Sequence, residues 1–319
     1  MAESPKIQVV RGVPQGSVLG PVLFLLFIND LPKSPHGGDV CLFADDTSLS
    51  VSARNRPELE VKAYEGAGAL QQWFDNNRLS LNIKKTQIIE FQISCRSKKD
   101  ALNFFIDETE AIPSAGAKFL GIFLDENLKF YQQIDNVCKR LGSGIFVLKR
   151  LTTFADSKVL LAAYYGLIYP FLAYGVAVWG HESVRSVCIF KLQKRALRVI
   201  FRKPHRFSCR SLFRDNDILT FPSIYIFNTV LFVRKNYHLF VSGLSTHQHN
   251  LRGNRIAIPS HRTGFFEKHL IYNGTRLYNS LPGGLKEVRG LEAFKKGVRR
   301  FLVSQCYYSV GEYLMSHPG

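Results

Sequence analysis

Two adjacent carboxylates, Asp45 and Asp46, stand between an apolar run at residues 40–44 and a second arm at 47–51 in which apolar residues alternate. Two such arms joined by a short polar step predict a β-hairpin with both acids at its tip. Carboxylate oxygens are the ligands that Mg²⁺ favours. Two divalent cations about 3.5 to 4 Å apart, held by carboxylates, compensate the attacking and leaving oxygens of a phosphoryl transfer. Aspartate is also common in turns, where its side chain bonds nearby backbone amides. The pair alone therefore does not specify this chemistry, and its surroundings must.

The elements around the pair follow from local pattern. Ile7 to Val10 is a short strand candidate, and Gly12-Val13-Pro14-Gln15-Gly16 reads as a tight loop. Ser17 can then cap a helix whose apolar residues run from Val18 to Ile28 and which Asn29-Asp30-Leu31-Pro32 stops. A helix this apolar is expected to be buried. Residues 57–77 have a helical period through Leu59, Ala63, Leu70, Trp73 and Phe74, ending at Asn76-Asn77. Residues 79–93 are expected to return to strand, Phe119 to Leu124 to form another short strand, and a mainly helical pattern to run from Tyr131 past residue 240. That change places a domain boundary near residue 130.

In this setting the block Gly12-Val13-Pro14-Gln15-Gly16-Ser17-Val18-Leu19-Gly20-Pro21, followed by Phe43-Ala44-Asp45-Asp46-Thr47, closely resembles the reverse transcriptase domain of non-LTR (LINE-like) retrotransposons. In that family the first block is motif B, a loop and helix under the incoming nucleotide and template base. The second is motif C, the metal-binding hairpin. Leu79-Ser80-Leu81-Asn82 with Lys84-Lys85-Thr86 looks like motif D, and Phe119-Leu120-Gly121-Ile122 looks like the primer grip. Tyr169-Pro170, Trp179-Gly180 and Gln193-Lys194-Arg195 resemble the thumb and carboxyl-terminal region more loosely.

The resemblance implies an RNA-directed DNA polymerase, a nucleotidyltransferase using Mg²⁺ or Mn²⁺, an RNA template, a DNA primer and dNTPs. It makes Asp45 the stronger metal ligand and Asp46 its partner, and brings Pro14, Gln15, Gly16 and Ser17 to the nucleotide and template. It assigns Phe119, Leu120 and Gly121 to the primer. In motif D a lysine protonates the departing pyrophosphate; Lys85 is the candidate, with Lys84 or an ordinary exposed residue as alternatives. Motif A, which carries a third aspartate, lies upstream of motif B in the family, and residues 1–11 contain no aspartate. The expectation is a chain cut before motif A and inactive alone. The alternative is a non-catalytic nucleic-acid-binding remnant.

Charge supports a polyanionic partner. The chain of 319 residues carries a formal charge of +17. Residues 1–150 hold 18 Lys and Arg against 17 Asp and Glu, whereas residues 151–319 hold 24 against 8. Lys191, Lys194, Arg195, Arg198 and Arg202 fall at spacings that line one helix face, with Leu192, Ala196, Val199 and Ile200 occupying much of the other. A basic stripe of this kind suits phosphates, and a solvated surface helix is its bland counterpart.

Six cysteines are scattered singly, a usage that suits a reducing, intracellular setting, nuclear or cytoplasmic, rather than secretion. His247 and His249, or His205 with Cys209, lack the further ligands of a metal site. The uncharged run at 159–180 is broken by Pro170, three glycines and four tyrosines, as expected of buried helical pieces around a bend rather than a membrane span. The expected fold is α+β: a partial polymerase palm over 1–130, a helical thumb-like region over 131–244, and a basic carboxyl-terminal region over 245–319.

Overall fold

The computed structural model describes residues 16–33, 37–91, 105–106, 109–110, 113–181, 185–242, 255–262 and 264–317. Ile7 to Val10, Gly12 to Gln15, and His247 with His249 lie outside the described residues. The fold is α+β, with three two-stranded sheets among the described residues. The chain divides into two compact units, Met1–Ala117 and Lys118–Gly319.

In the first unit, helix α1 (Leu19–Ile28) leads to strands β1 (Asp39–Phe43) and β2 (Asp46–Ser50), then to α2 (Arg56–Asn76) and a short pair, β3 (Phe105–Ile106) and β4 (Thr109–Glu110). Antiparallel pairing of β1 with β2 follows the alternation read from sequence, with Val40 opposite Leu49 and Leu42 opposite Thr47. Gly38 closes the open end of this hairpin, where a Cβ would stand 2.6 Å from the Ser50 carbonyl oxygen. The start of α2 is set by Asn55, whose side chain accepts from the Glu58 amide, and by Pro57 in the first turn. Ile28, Leu31, Leu70 and Phe74 form a small core, and Phe24, Val40, Leu42, Leu49, Trp73 and Leu79 pack against it.

Two expectations fail in this unit. Of the residues of α1 only Ile28 is buried, and Leu19, Val22, Leu23, Leu25, Leu26 and Phe27 are exposed. Periodicity cannot supply a partner surface, and the two-stranded hairpin covers only the side carrying Phe24 and Ile28. Residues 79–91 form no strand; a 3₁₀ turn at Ile83–Lys85 interrupts them, nucleated by the Asn82 side chain accepting from the Lys85 amide. Asparagine offers the backbone a local partner that competes with a sheet ladder.

At the division between the units β5 (Gly116–Phe119) pairs with β6 (Ile122–Asp125). The single strand expected over Phe119 to Leu124 is thus a hairpin, turned by Leu120 and Gly121 at φ 45° and 85°. Successive positive φ values are those of a tight two-residue hairpin turn, which glycine makes easy.

The second unit is helical: α3 (Tyr131–Leu151), α4 (Ser157–Leu167), α5 (Tyr169–Ala173), α6 (Val176–Trp179), α7 (Ser186–Ile200), α8 (Arg210–Asp215), α9 (Phe221–Lys235), α10 (Tyr237–Ser242), α11 (Leu270–Asn279), α12 (Gly283–Lys286), α13 (Leu291–Gln305) and α14 (Val310–Ser316). The uncharged run at 159–180 is spent on the pieces α4 to α6, and Leu160, Tyr164, Leu172, Val176 and Trp179 are fully buried. Among the described residues no helix is long and apolar enough to cross a membrane. Helix α9 is the centre of this core, buried on more than one side through Ile224, Tyr225, Ile226, Val230 and Val233. A helix apolar around its circumference must be surrounded, and α5, α6, α7, α11, α13 and α14 all pack on it. Gln193, fully buried on α7, joins the layers by donating to the Tyr164 hydroxyl and the Leu219 carbonyl at 2.9 Å each and accepting from the Phe221 amide at 2.7 Å.

Candidate active site

The carboxylate pair lies at the hairpin tip. Phe43 pairs with Asp46, so Ala44 and Asp45 make the turn and Asp46 is the first residue of β2. Ala44 takes the left-handed conformation at φ 52° that such a turn needs. Both acids are exposed, and among the described residues neither carboxylate has a hydrogen-bond or ion-pair partner. The β1 and β2 side chains Val40, Leu42 and Leu49, packed with Ile28 and Leu31, anchor the arms from which the tip projects. Two unengaged carboxylates on a hairpin turn are a donor set of the kind that Mg²⁺ or Mn²⁺ takes. Among the described residues no group of three or more His, Cys, Asp or Glu gathers, so this pair alone does not complete a two-cation site.

Of the expected nucleotide and template residues, Pro14 and Gln15 lie outside the described residues. Gly16 takes φ 87°, a conformation that strains any other residue, and the Ser17 hydroxyl accepts from the Gly20 amide at 3.1 Å, capping α1. Lys84 and Lys85 are both exposed in the 3₁₀ turn.

In the second unit Phe119, Leu120 and Gly121 occupy the β5–β6 turn. The Tyr174 hydroxyl donates to the Leu120 carbonyl at 2.5 Å, and its ring lies 3.4 Å from where a Gly121 Cβ would be. That turn is held from behind by an aromatic side chain 54 residues away in the chain.

The basic stripe of α7 is less uniform than its spacing suggested. Lys191 and Arg195 are exposed. The Lys194 ammonium lies over the Phe190 and Tyr308 rings at 4.5 and 5.2 Å, and its pKa is lowered, first by burial and then by the Arg198 charge. Arg198 donates through Nε to the Phe207 carbonyl at 3.0 Å. Arg202 lies beyond the end of α7, at φ 50°, and donates to the Thr152 carbonyl at 3.0 Å. Arg195, Arg198 and Arg202 line a shallow, open depression together with Lys149, Lys203 and His205. Lys149 comes from α3, far away in sequence, so no spacing pattern could have found it.

The segment that holds this hairpin also matches a known family. Residues 3–124 match the family described as "Reverse transcriptase (RNA-dependent DNA polymerase)". The chain resembles non-LTR reverse transcriptases. It is 27% identical over 187 residues to the "Probable RNA-directed DNA polymerase from transposon X-element" of Drosophila melanogaster, covering 56% of this chain and 20% of that protein. The "RNA-directed DNA polymerase from mobile element jockey" of the same species is 28% identical over 221 residues, 65% of this chain and 24% of the relative. Its namesake from Drosophila funebris is 27% identical over 270 residues, which cover 80% of this chain and 28% of the relative. The chain thus spans roughly a quarter of the length of these reverse transcriptases, and its likeness to them runs beyond residue 124 into the helical unit. No solved structure matches it.

Proposed function

We propose that the chain contributes to RNA-directed DNA synthesis in a non-LTR retrotransposon polymerase, with residues 1–130 as part of the palm and the helical region from 131 to 244 as a thumb. The observation that carries this reading is the hairpin that holds Asp45 and Asp46, unengaged and exposed, at its turn, within the segment that matches the reverse transcriptase family. A bound Mg²⁺ or Mn²⁺ would supply charge compensation at the transferring phosphoryl group. Asp45 and Asp46 would hold it from this side, and a further carboxylate would come from outside the described residues. Pro14, Gln15, Gly16 and Ser17 would border the nucleotide and template base, Phe119 to Gly121 the primer strand, and Lys85 would deliver a proton to pyrophosphate. The basic residues Lys191, Lys194, Arg195, Arg198 and Arg202 support RNA template and DNA primer as partners.

A chimera tests the reading. The upstream segment of a related element that carries motif A is fused to this chain, and Mg²⁺-dependent primer extension on an RNA template is followed. The fusion is expected to extend the primer, Asp45→Asn to abolish extension, and Lys85→Ala only to slow it, by about 10² to 10³-fold in the range for one proton-transfer group. Extension indifferent to Asp45→Asn would remove the hairpin from the active site.

A further inference from the structure

Cys138 on α3 and Cys188 on α7 stand 50 residues apart in the chain, yet their sulfurs lie 2.9 Å from each other. A bond between two such sulfurs is about 2.05 Å long, so little movement separates the thiol pair from a disulfide. Both side chains are half-buried, within reach of a small solute. A buried cysteine ordinarily serves as a small apolar side chain. That account fits Cys209 and Cys306, each 1% exposed, whose sulfurs sit against the Lys194 and Arg210 carbonyls at 3.7 and 3.8 Å. It does not explain two sulfurs held together where solvent reaches them.

The same two turns are joined by contacts that need no covalent link. Arg185, three residues before Cys188, pairs with Asp135, three residues before Cys138, at 3.1 Å, and its guanidinium lies 4.3 Å from the Tyr131 ring. Exposed contacts of this kind stabilise little, but they keep the sulfurs facing each other in the reduced chain. Cys188 donates its S–H to the Arg185 carbonyl at 2.8 Å, which leaves Cys138 as the donor between the two sulfurs. Burial, and then that hydrogen bond, push the Cys138 thiol up to about 12. Cys138 therefore keeps its proton in the resting pair, and Cys188 is the sulfur that reacts first.

We propose that Cys138 and Cys188 form a reversible redox site that takes a low-molecular-weight disulfide, such as oxidised glutathione, and joins α3 covalently to α7. The Cys188 thiolate attacks one sulfur of oxidised glutathione, breaks its S–S bond and expels one glutathione thiolate. Cys138 then loses its proton and attacks the Cys188 sulfur of the mixed disulfide, expelling the second glutathione thiolate. Two protein thiols are oxidised, one glutathione disulfide is reduced to two thiols, and the two cysteine protons end on the glutathione sulfurs. The new bond closes a loop from 138 to 188 that contains α4, α5, α6 and Tyr174, the side chain that holds the β5–β6 turn. Closing such a loop constrains the unfolded chain and so stabilises the folded one. The inference does not depend on the proposed polymerase function.

The test uses the whole 319-residue chain, equilibrated in glutathione buffers of rising oxidised-to-reduced ratio, blocked with iodoacetamide and digested with trypsin without reductant. The peptides Phe130–Lys139 and Ser186–Lys191 each hold one cysteine, so the mass of their cross-linked product reports this bond without any variant. The product is expected at about ten-fold the yield from chain oxidised in urea, because the fold supplies the proximity. It should vanish with dithiothreitol and raise the melting temperature by about 5 to 10 °C. Cys138→Ser is expected to keep one melting temperature in oxidised and reduced buffer and to carry a glutathione adduct on Cys188. Cys138 and Cys188 found separately alkylated at a ratio where the exposed Cys41 already carries glutathione would overturn the proposal. So would a cross-link that forms as readily in urea, or one that leaves the melting temperature unchanged.

Discussion

Glu312 shows how one carboxylate can be decisive while lying in no site. It stands three residues after Ser309, whose hydroxyl accepts from the Glu312 amide at 2.9 Å and caps α14. The Glu312 carboxylate accepts from the Tyr308 amide at 2.6 Å and from Arg210 at 2.8 Å, tying α14 to α8. Burial pushes its pKa up, but the Tyr308 amide and the Arg210 guanidinium outweigh that and hold it below the ordinary glutamate value. A folded-state pKa below the unfolded one means that the stabilisation is complete above the ordinary carboxylate range and is lost as pH falls through the depressed value. The side chain is about a third exposed, so solvent screening limits the effect. Glu312→Gln is expected to cost about 1 kcal/mol near neutral pH, and urea midpoints of the two proteins should converge in acid. A constant difference down to the lowest pH at which the chain folds would assign the effect to packing.

At the scale of elements, α1 is the exception among the helices. The amphipathic helices α3 and α7 bury the faces their periodicity predicts, through Ile134, Val137, Leu141, Ile145 and Leu148 in one and Ile189, Ala196, Leu197 and Ile200 in the other. By contrast α1 exposes Val22 at 54% and Leu26 at 69%. Exposed apolar surface of this extent drives association. The 319-residue chain is therefore expected to self-associate, and Val22→Glu with Leu26→Glu to shift it toward monomer in light scattering. Neither residue belongs to the small core around Ile28 and Leu31, so unfolding of the helical unit should be unaffected. A monodisperse wild-type chain would show that this face is covered.

For the whole molecule, catalysis depends on how many ligands the fold brings together. Among the described residues no group of three or more His, Cys, Asp or Glu gathers, so the proposed ligands Asp45 and Asp46 have no third ligand beside them there. A missing ligand removes stabilisation of several kcal/mol, and about 1.4 kcal/mol is tenfold in rate. The 319 residues by themselves are thus expected to show no primer extension with Mg²⁺, template, primer and dNTPs, measured on the same gels as the chimera; robust synthesis would mean that the ligand set is complete without an added segment. By itself the sequence determined what local rules decide. The hairpin around Asp45 and Asp46, the Ser17 cap, α2 with its period through Leu59, Ala63, Leu70, Trp73 and Phe74, and the start of α3 at Tyr131 all follow from alternation, helical period and turn chemistry acting within a few residues. Its resemblance to reverse transcriptases could be recognised from the same short blocks. Tertiary structure alone decided what depends on partners distant in the chain. It left α1 exposed and turned Leu120 and Gly121 against Tyr174. It brought the sulfurs of Cys138 and Cys188, two of six cysteines with no visible pairing, within 2.9 Å, and set Lys149 beside the arginines of α7. Periodicity says which face of an element is apolar or charged, but the opposing surface is chosen by packing across many residues, and no local spacing encodes it.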